Sequence, residues 1–458
     1  MKMTRYMAAF IVAFATLTLL STYRSIDAQQ MPPVSQLPNF AGRYIAAISD
    51  GDFLSSTYHD GKLPKPNSAT DTLSLVKLPL NGNQNAVAQI PASNSVTGAP
   101  YALALSPNGR TGFVVETLGA MPVGATHRKQ LPPGQQLVAI DLVNPSRPVV
   151  RSRMAIAPSP ETVDVHPDGT LLAISTQTPN KEIILVSVKN SVLGQPIEIS
   201  LRELGIEPDS ERFQAGMYVS QVQWHPSGRY LAVNLDYRDQ IAFFELQRDR
   251  TGNSQLIPWG RPVNVGKDPF TGQFTPDGRF FLTSNWGRNF GERVKTLEQR
   301  LPEKRGTVSV IRLAELNTSA VSAQHRVVST ATADISPESL AISPDGTRVV
   351  TVNMRGTLFP GNSPRFSRQA SLSLMTLDLT SGRLTKLDDY SFEGILPESA
   401  AFDASGKYLA VTVYEYFTAK PKGGIELWQM LQAPKPALRR TGYAINLGRG
   451  VHQVLVAQ

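Results

Sequence analysis

The chain has 458 residues, of which 41% are hydrophobic and 18% charged, a balance typical of a globular protein with room for one large domain or roughly two to three ordinary ones. Its formal net charge is +8, a modest basic excess without interleaved aromatic residues, so no nucleic-acid partner is predicted. The absence of cysteine excludes disulfides, thiolate metal sites, iron–sulfur clusters, thiol catalysis and covalent c-type haem attachment.

The first 28 residues have the pattern of a secretory signal peptide. Lys2 and Arg5 precede an apolar run from Met7 to Leu20, and a polar stretch ends at Ala28. This run is too short to span a hydrocarbon core, which needs about 20 residues. We therefore expect cleavage after Ala28, export to the periplasm or the extracellular space, and no stable membrane insertion afterwards. Residues 29–41 are predicted to be a lead-in to a single domain at residues 42–458.

Three short alternating stretches come next, beginning at Gly42, Asp71 and Asn85. Alternation of apolar and polar residues at every second position is typical of half-buried β-strands. These stretches are predicted to form the second, third and fourth strands of a sheet that has no first strand of its own in this part of the chain.

Six copies of one pattern follow: an alternating apolar stretch, a turn that ends in glycine, and a second apolar stretch. Most turns read Pro, then Asn, Asp or Ser, then Gly. These residues suit a tight turn, because Pro fixes φ and Gly takes a positive φ without steric cost. Each copy is therefore predicted to be a β-hairpin. The copies are Tyr101–Glu116, Glu161–Thr176, Ser220–Leu235, Phe270–Asn285, Glu338–Asn353 and Glu398–Val413.

A third alternating segment follows each hairpin, for example Gln136–Leu142, and a less regular fourth segment closes the unit, for example Pro148–Ile156. Four antiparallel strands per repeat describe a propeller blade. At the end of the chain, Val451–Gln458 matches the first strand of the repeat and supplies the strand that the N-terminal stretches lack. The predicted fold is all-β: a seven-bladed β-propeller of four-stranded antiparallel blades, closed by the C-terminal strand joining the N-terminal blade.

The repeat resembles a known family. Ser343–Asn353 followed by Ser371–Leu384, and Thr275–Asn285 followed by Gly306–Leu313, look like the YVTN-type seven-bladed β-propellers, a group that includes exported YncE-like proteins and relatives of 6-phosphogluconolactonase. The resemblance covers essentially the whole chain after the signal peptide. It is specific for the fold, because the repeat residues serve turns and packing and do not define an activity.

The resemblance implies that the first strand of each blade lines a central channel, and that the loops between second and third strands crowd one mouth of that channel. One residue per blade then lies at the mouth, eight positions before the turn glycine. The predicted mouth residues, all candidates for ligand binding or catalysis, are Tyr101, Glu161, Ser220, Phe270, Glu338, Glu398 and, by alignment of the last strand, His452.

Three of the mouth residues, Glu338, Glu398 and His452, come from consecutive blades, and we expect them to be neighbours. Clustered carboxylates raise one another's pKa and histidine titrates near neutral pH, so the cluster suits general acid/base catalysis. The alternative is a hydrated channel whose polar lining pairs with basic loop residues. No metal site and no cofactor is predicted, because no compact ligand motif occurs.

Four loops between second and third strands are long, and long loops often carry binding function. Their aromatic and basic residues suit an anionic or sugar-like ligand or an envelope protein, and we expect Trp286, Arg288, Arg355 and Tyr414 to contribute. Loops that bind nothing are the alternative. The four loops are Thr117–Gln135, Trp286–Gly306, Met354–Ala370 and Tyr414–Gly424.

The chain contains no nucleophile elbow and no zinc-binding HExxH helix. The sequence therefore favours an exported, monomeric, non-catalytic binding module that presents its loop-rich face to a small molecule or a protein partner. The alternative is a lactonase-like hydrolase or isomerase acting at the channel mouth. In that interpretation Glu398 or Glu338 is the base, His452 is the partner acid, and Arg355 or Arg288 orients an anionic substrate.

Overall fold

The computed structural model describes residues 37–65, 69–81, 87–95, 97–206, 219–249, 254–291, 293–418, 420 and 422–458. The predicted signal peptide lies outside these ranges. Among the described residues, no helix has the length and apolar character needed to cross a membrane.

The described strands form seven antiparallel sheets, each with a first, second, third and fourth strand. We number the blades 1 to 7 from the N-terminus and give the strands of each position in blade order. The first strands are β29 (Val451–Ala457), β4 (Leu103–Leu105), β8 (Pro160–Val165), β12 (Gln221–Trp224), β17 (Pro269–Phe274), β21 (Pro337–Ile342) and β25 (Ala400–Phe402). The second strands are β1 (Tyr44–Ser49), β5 (Thr111–Val115), β9 (Leu171–Thr176), β13 (Tyr230–Leu235), β18 (Phe280–Asn285), β22 (Arg348–Asn353) and β26 (Tyr408–Val413).

The outer half of each blade is built in the same order. The third strands are β2 (Thr72–Lys77), β6 (Gln136–Asp141), β10 (Ile183–Lys189), β14 (Gln240–Arg248), β19 (Arg305–Arg312), β23 (Gln369–Leu377) and β27 (Gly423–Leu431). The fourth strands are β3 (Val87–Pro91), β7 (Val149–Ala155), β11 (Val192–Ile199), β15 (Ser254–Pro258), β20 (Arg326–Ile335), β24 (Leu384–Glu393) and β28 (Ala437–Gly448). A short strand, β16 (Val263–Asn264), also pairs with β14.

The two ends of the chain close the ring, as the sequence predicts. In blade 1, β29 pairs with β1 so that Ala457 lies opposite Tyr44 and Val454 lies opposite Ala47. First strands of consecutive blades contact one another around the whole ring. The seven-bladed propeller and its closure by the C-terminal strand are therefore confirmed.

Side chains on the first strands tie neighbouring blades together. A first strand has a neighbour in its own sheet on one side only, so the N–H groups on its other side need partners from elsewhere. The Gln453 amide oxygen accepts from the Leu103 N–H at 2.7 Å, and the Asp164 carboxylate accepts from the Trp224 N–H at 2.7 Å. Gln223 accepts from Phe274 at 2.8 Å. These bonds fix the spacing of the first strands and hence the geometry of the channel mouth.

Loops at the mouth pack into an apolar layer, which we call the cap. It consists of the described residues of 51–65, 117–135, 286–306 and 354–370, and it includes two short helices, α1 (Thr57–Asp60) and α2 (Leu297–Arg300). Buried side chains of the cap form one hydrophobic cluster with Phe270 and Tyr414. The cap therefore separates the mouth residues from bulk solvent.

Candidate active site

A small cavity of about 110 Å³ lies between the cap and the first strands of blades 5 to 7. Aromatic rings and charged groups both line it. The aromatic side chains are Tyr58, Phe270 and Trp286, and the charged ones are Arg128, Arg288, Arg300, Glu338 and Glu398. The two glutamates are buried, so electrostatic interactions between the charged groups here are strong, because little water is present to screen them.

A β-bulge lies at the mouth residue in three of the blades. In blades 3, 5 and 6 the register between first and second strands skips one residue, and the skipped residues are Glu161, Phe270 and Glu338. A proline precedes each of them. The residue before each proline has a positive φ, which is 60° at Asp268. Bulges commonly redirect a side chain beside an active site. Local backbone strain therefore occurs where these three mouth residues are placed.

Three glutamates at the mouth are almost completely buried. Glu161, Glu338 and Glu398 are each 3% exposed, and burial raises the pKa of all three well above the ordinary value. The neighbouring Glu338 raises the pKa of Glu398 further, because two adjacent negative charges repel. The Glu338–Glu398 pair therefore retains a proton in a pH range where an exposed glutamate has lost it.

The carboxylate of Glu161 lies under the loop that contains Gly98. A Cβ atom at Gly98 would stand 2.7 Å from the carboxyl carbon of Glu161, so a larger residue would collide with it. Gly98 lines the cavity, whereas Glu161 does not. Glu161 therefore packs behind Gly98 and does not face the cavity.

Arg288 is the cation beside these acids, and two aspartates hold it. Its Nε and Nη2 donate to Asp268 at 2.8 and 2.9 Å, and Nη2 lies 3.4 Å from Asp236. The guanidinium also lies 4.2 Å from the centre of the Phe270 ring and 4.3 Å from that of Trp286. A bidentate ion pair with aromatic stacking fixes both the position and the orientation of the guanidinium.

His452 does not join the glutamates. It is fully buried, its Nε2 bonds to the Asn94 side-chain oxygen at 2.7 Å, and its Nδ1 has no partner within the described part of the chain. Burial lowers the pKa of His452 to about 3. The imidazole is therefore neutral at physiological pH, and the structure gives no support for a role as partner acid.

Other predicted residues lie apart from the cavity. Tyr101 reaches across the channel, and its hydroxyl donates to the Leu340 carbonyl of blade 6 at 3.4 Å, while the Ser220 hydroxyl donates to the Pro269 carbonyl at 3.2 Å. Both side chains thus tie blades together. They do not line the cavity.

The two remaining predicted residues differ in their distance from the acids. The Tyr414 hydroxyl donates to the Asp50 carbonyl at 3.3 Å, and burial together with the charges of Asp50 and Glu398 raises its pKa, so it lies close to the pair. Arg355 contacts Asp334 at 3.6 Å and Ser391 at 3.3 Å, on the outer strands β20 and β24. Of the two arginines predicted to orient a substrate, only Arg288 lines the cavity.

Several residues of the site are absent from the sequence prediction. Asp236 and Asp268 hold Arg288, and Arg300 adds positive charge to the cavity wall. The sequence does carry a signal for Asp268, since it occupies the place before proline that Ser159 and Ser336 occupy in other blades. Arg300 carries no comparable signal, because the docking of its loop brings it to the cavity.

Three carboxyl groups at one edge of blade 1 come close enough to suit a cation. Oxygen atoms of Asp50, Asp52 and Asp71 lie within 4.8 Å of one another. Asp71 already accepts backbone N–H bonds from Gly51 at 2.9 Å and Asn94 at 3.0 Å, and burial raises its pKa to about 8. Protonation and these backbone bonds account for the cluster without an ion.

Comparisons with known proteins agree with this architecture. Residues 67–415 match the family model described as "Lactonase, 7-bladed beta-propeller", and no curated protein matches the sequence. A periplasmic gluconolactonase of Pseudomonas aeruginosa is 17% identical, with a TM-score of 0.56 over 90% of this chain and 99% of that one. A putative 6-phosphogluconolactonase of Bacteroides fragilis is 16% identical, with a TM-score of 0.58 over 91% and 98%. At these identities, the structural likeness shows the fold.

The preferred interpretation of the sequence, a non-catalytic binding module, is wrong. The family model that spans residues 67–415 is that of a lactonase, and it favours the alternative interpretation. The sequence has no local catalytic motif because the acids of this site come from different blades and meet only in the folded ring.

The raised pKa of Glu398 predicts how stability depends on pH. The folded protein holds this proton more tightly than the unfolded chain, so the free energy of unfolding falls as pH rises from the ordinary value of 4.5 through the higher folded pKa. Glu398→Gln removes this contribution. Urea unfolding at about pH 5 and about pH 8 should therefore show a smaller loss of stability for Glu398→Gln than for the wild type.

Glu203→Gln is the matched control, because Glu203 is exposed. It should follow the wild type at both pH values. Equal losses of stability in Glu398→Gln and wild type would contradict the burial of a protonated Glu398.

Proposed function

The chain belongs to the seven-bladed β-propeller lactonase family, and from this premise we propose that it hydrolyses a sugar-type lactone in the cavity under the cap. The observation that carries the proposal is the buried Glu338–Glu398 pair with Arg288 on the same cavity wall. A lactonase needs a group that takes a proton from water, a group that protonates the leaving oxygen, and a cation for the developing oxyanion. The cavity supplies all three.

One shared proton gives the two glutamates complementary roles. The ionised member takes a proton from a water molecule as the water oxygen bonds to the lactone carbonyl carbon. The protonated member then gives its proton to the ring oxygen as the bond from that oxygen to the carbonyl carbon breaks. The product is an open-chain hydroxy acid, and one proton remains on the pair, so the cycle balances. Such division of labour between two coupled carboxyl groups follows from their mutual repulsion.

Arg288 supports the charged stage of the reaction. Its Nε and Nη2 are bonded to Asp268, whereas Nη1 makes no hydrogen bond within the described residues and remains to donate to the carbonyl oxygen. A donor fixed in advance in a site poor in water stabilises an oxyanion without reorganising. Arg128 and Arg300 line the same cavity and suit the carboxylate that hydrolysis produces.

Removing either carboxyl group should abolish this cycle. Glu338→Gln and Glu398→Gln keep the side-chain shape but cannot share a proton, so kcat should fall by about 10²–10⁴-fold, the usual contribution of general acid/base catalysis. The measurement is continuous pH titration of glucono-δ-lactone hydrolysis, corrected for the spontaneous reaction, with thermal melting to verify the fold.

Glu203→Gln should retain wild-type hydrolysis in the same assay, because its exposed side chain lies outside the cavity. The proposal fails if folded wild-type protein does not exceed the spontaneous rate on any of a panel of aldonolactones. It fails equally if both cavity variants hydrolyse as fast as the wild type.

We also propose that the protein is exported. The support is the signal-peptide pattern of residues 1–28, and a structural neighbour from Pseudomonas aeruginosa is described as periplasmic. Sequencing the N-terminus of the protein from the periplasm or medium of an expressing bacterium should give Gln29 first. Intact protein that begins at Met1 and stays in the cytoplasm would contradict export.

The monomeric state and the absence of a nucleic-acid partner stay predictions.

A further inference from the structure

The acids of the cavity are too buried for a ligand to reach them without movement of the protein. Glu338 and Glu398 are each 3% exposed, and the cavity volume of about 110 Å³ is well below the roughly 300–1,000 Å³ typical of ligand sites. Part of the wall therefore moves when a ligand binds. The cap is the part of the wall that consists of loops, and loops over active sites commonly open and close.

Two of the cap loops are joined into one unit, which we call the α1 half. It consists of the described residues of 51–65 and 117–135. The Leu63 N–H donates to the Thr126 carbonyl at 3.0 Å, and the Arg128 N–H donates to the Gly61 carbonyl at 2.8 Å. These backbone bonds hold the two loops together.

The other two cap loops form a second unit, which we call the α2 half. It consists of the described residues of 286–306 and 354–370. The Arg365 guanidinium donates to the carbonyl oxygens of Leu301 and Pro302 at 3.1 and 2.7 Å, and also to that of Glu298. One charged side chain thus fastens the second loop to three backbone carbonyls of the first, and bonds to a charged group are among the stronger ones.

The two halves meet through side chains at the seam between α1 and α2. His59 Nε2 of α1 lies 3.1 Å from Glu298 Oε1 of α2, and these side chains are 31% and 36% exposed. A pair as exposed as this contributes little to stability. Parting these two groups therefore costs less than breaking the bonds that hold either half together.

The seam lies directly beside the cavity. Tyr58 and Arg128 line the cavity from the α1 half, and Leu297 and Arg300 line it from the α2 half. Burial lowers the pKa of Arg128, and the positive charge of Arg300 lowers it further. Two like charges on opposite sides of the seam repel each other, so their interaction favours separation of the halves.

We propose that the cap is a gate: the α1 and α2 halves part along the seam between His59 and Glu298, and a ligand reaches Glu338 and Glu398 through this opening. The His59–Glu298 pair is the latch of the closed gate. Closure then excludes water during the reaction. The identity of the ligand rests on the proposed lactonase function, whereas the opening itself is measurable without hydrolysis.

Opening is tested first by thiol labelling. The chain contains no cysteine, so a single introduced thiol reports its own exposure to an aromatic disulfide reagent. Met354→Cys places the thiol at a fully buried position on the cavity wall, and Ala173→Cys places it in β9, where unfolding of the blade is needed to expose it. Met354→Cys should react at least about tenfold faster, because local opening costs less than unfolding.

Equal labelling rates at the two positions would overturn the gate. Leu358→Cys, which also lies on the cavity wall, is the reporter if Met354→Cys does not fold.

The latch is tested in the Met354→Cys protein. His59→Ala and Glu298→Ala should each raise the labelling rate by about two- to fivefold, the range for the loss of an exposed ion pair. Arg300→Gln should lower the rate, because it removes the repulsion across the seam. Unchanged rates in both latch variants would overturn the assignment of the seam.

Glu198→Ala is the matched control. It removes an exposed ion pair of the same kind, in which Glu198 lies 2.8 Å from Lys181, but this pair belongs to blade 3. The labelling rate should stay that of the Met354→Cys parent. Acceleration equal to that of the latch variants would show a general loss of stability and overturn the role of the seam.

Hydrolysis tests whether the seam is the route to the acids. In His59→Cys/Glu298→Cys, a bifunctional thiosulfonate joins the two halves, and reduction separates them again. The joined protein should lose hydrolysis of glucono-δ-lactone and regain it on reduction. Lys62→Cys/His127→Cys is the control, because these residues form a β-bridge within the α1 half. Joining them should leave hydrolysis equal before and after reduction.

The two proposals can fail separately. If labelling follows the latch variants but no lactone is hydrolysed, the gate stands and the lactonase proposal fails. If the lactone is hydrolysed equally fast with the seam joined, the lactonase proposal stands and the gate is overturned.

Discussion

Pairing of β1 with β29 is the constraint on which the remaining structure depends. It joins the two ends of the chain in one blade, so the first strands form a closed ring with no free partner position at the seam. The closed ring brings residues separated by dozens of positions, such as Phe270 and Glu398, to one cavity. Removing the exposed edge also protects the sheet from pairing with other chains. The geometry of the cavity is therefore a consequence of ring closure.

Burial of the mouth glutamates makes their ionisation costly in free energy. The same burial raises their pKa values into a range that suits proton transfer. Each glutamate that is desolvated beneath the cap favours its protonated form, and a nearby cation offsets this only in part, because Arg288 is already bonded to Asp268 and lies near Asp236. Three blades each bury such a glutamate. The backbone before Glu161 and Glu338 also has positive φ values. Strain and raised pKa values concentrated at one location are typical of functional sites.

The sequence predicts the blades well, because turns and alternation are local signals. Counting back from each turn glycine also places Glu338 and Glu398 at the mouth, since the repeat keeps that distance constant. The position of His452 was predicted from alignment alone, and its actual partner, Asn94, comes from a loop outside the repeat. Sequence could not separate Arg288 from Arg355 either, because aspartates on different strands draw the two side chains in different directions.

The central claim is that Glu338 and Glu398 share one proton within the folded ring. Carbon-13 NMR of protein with labelled glutamate carboxyl groups measures this directly, with the two signals assigned by their loss in Glu338→Gln and Glu398→Gln. One of the two carboxyl groups should still be protonated at a pH where an exposed glutamate has ionised, because burial raises the pKa of both, and each signal should respond to ionisation of the other, as expected for coupled acids. Two independent titrations, both complete below about pH 5, would contradict it.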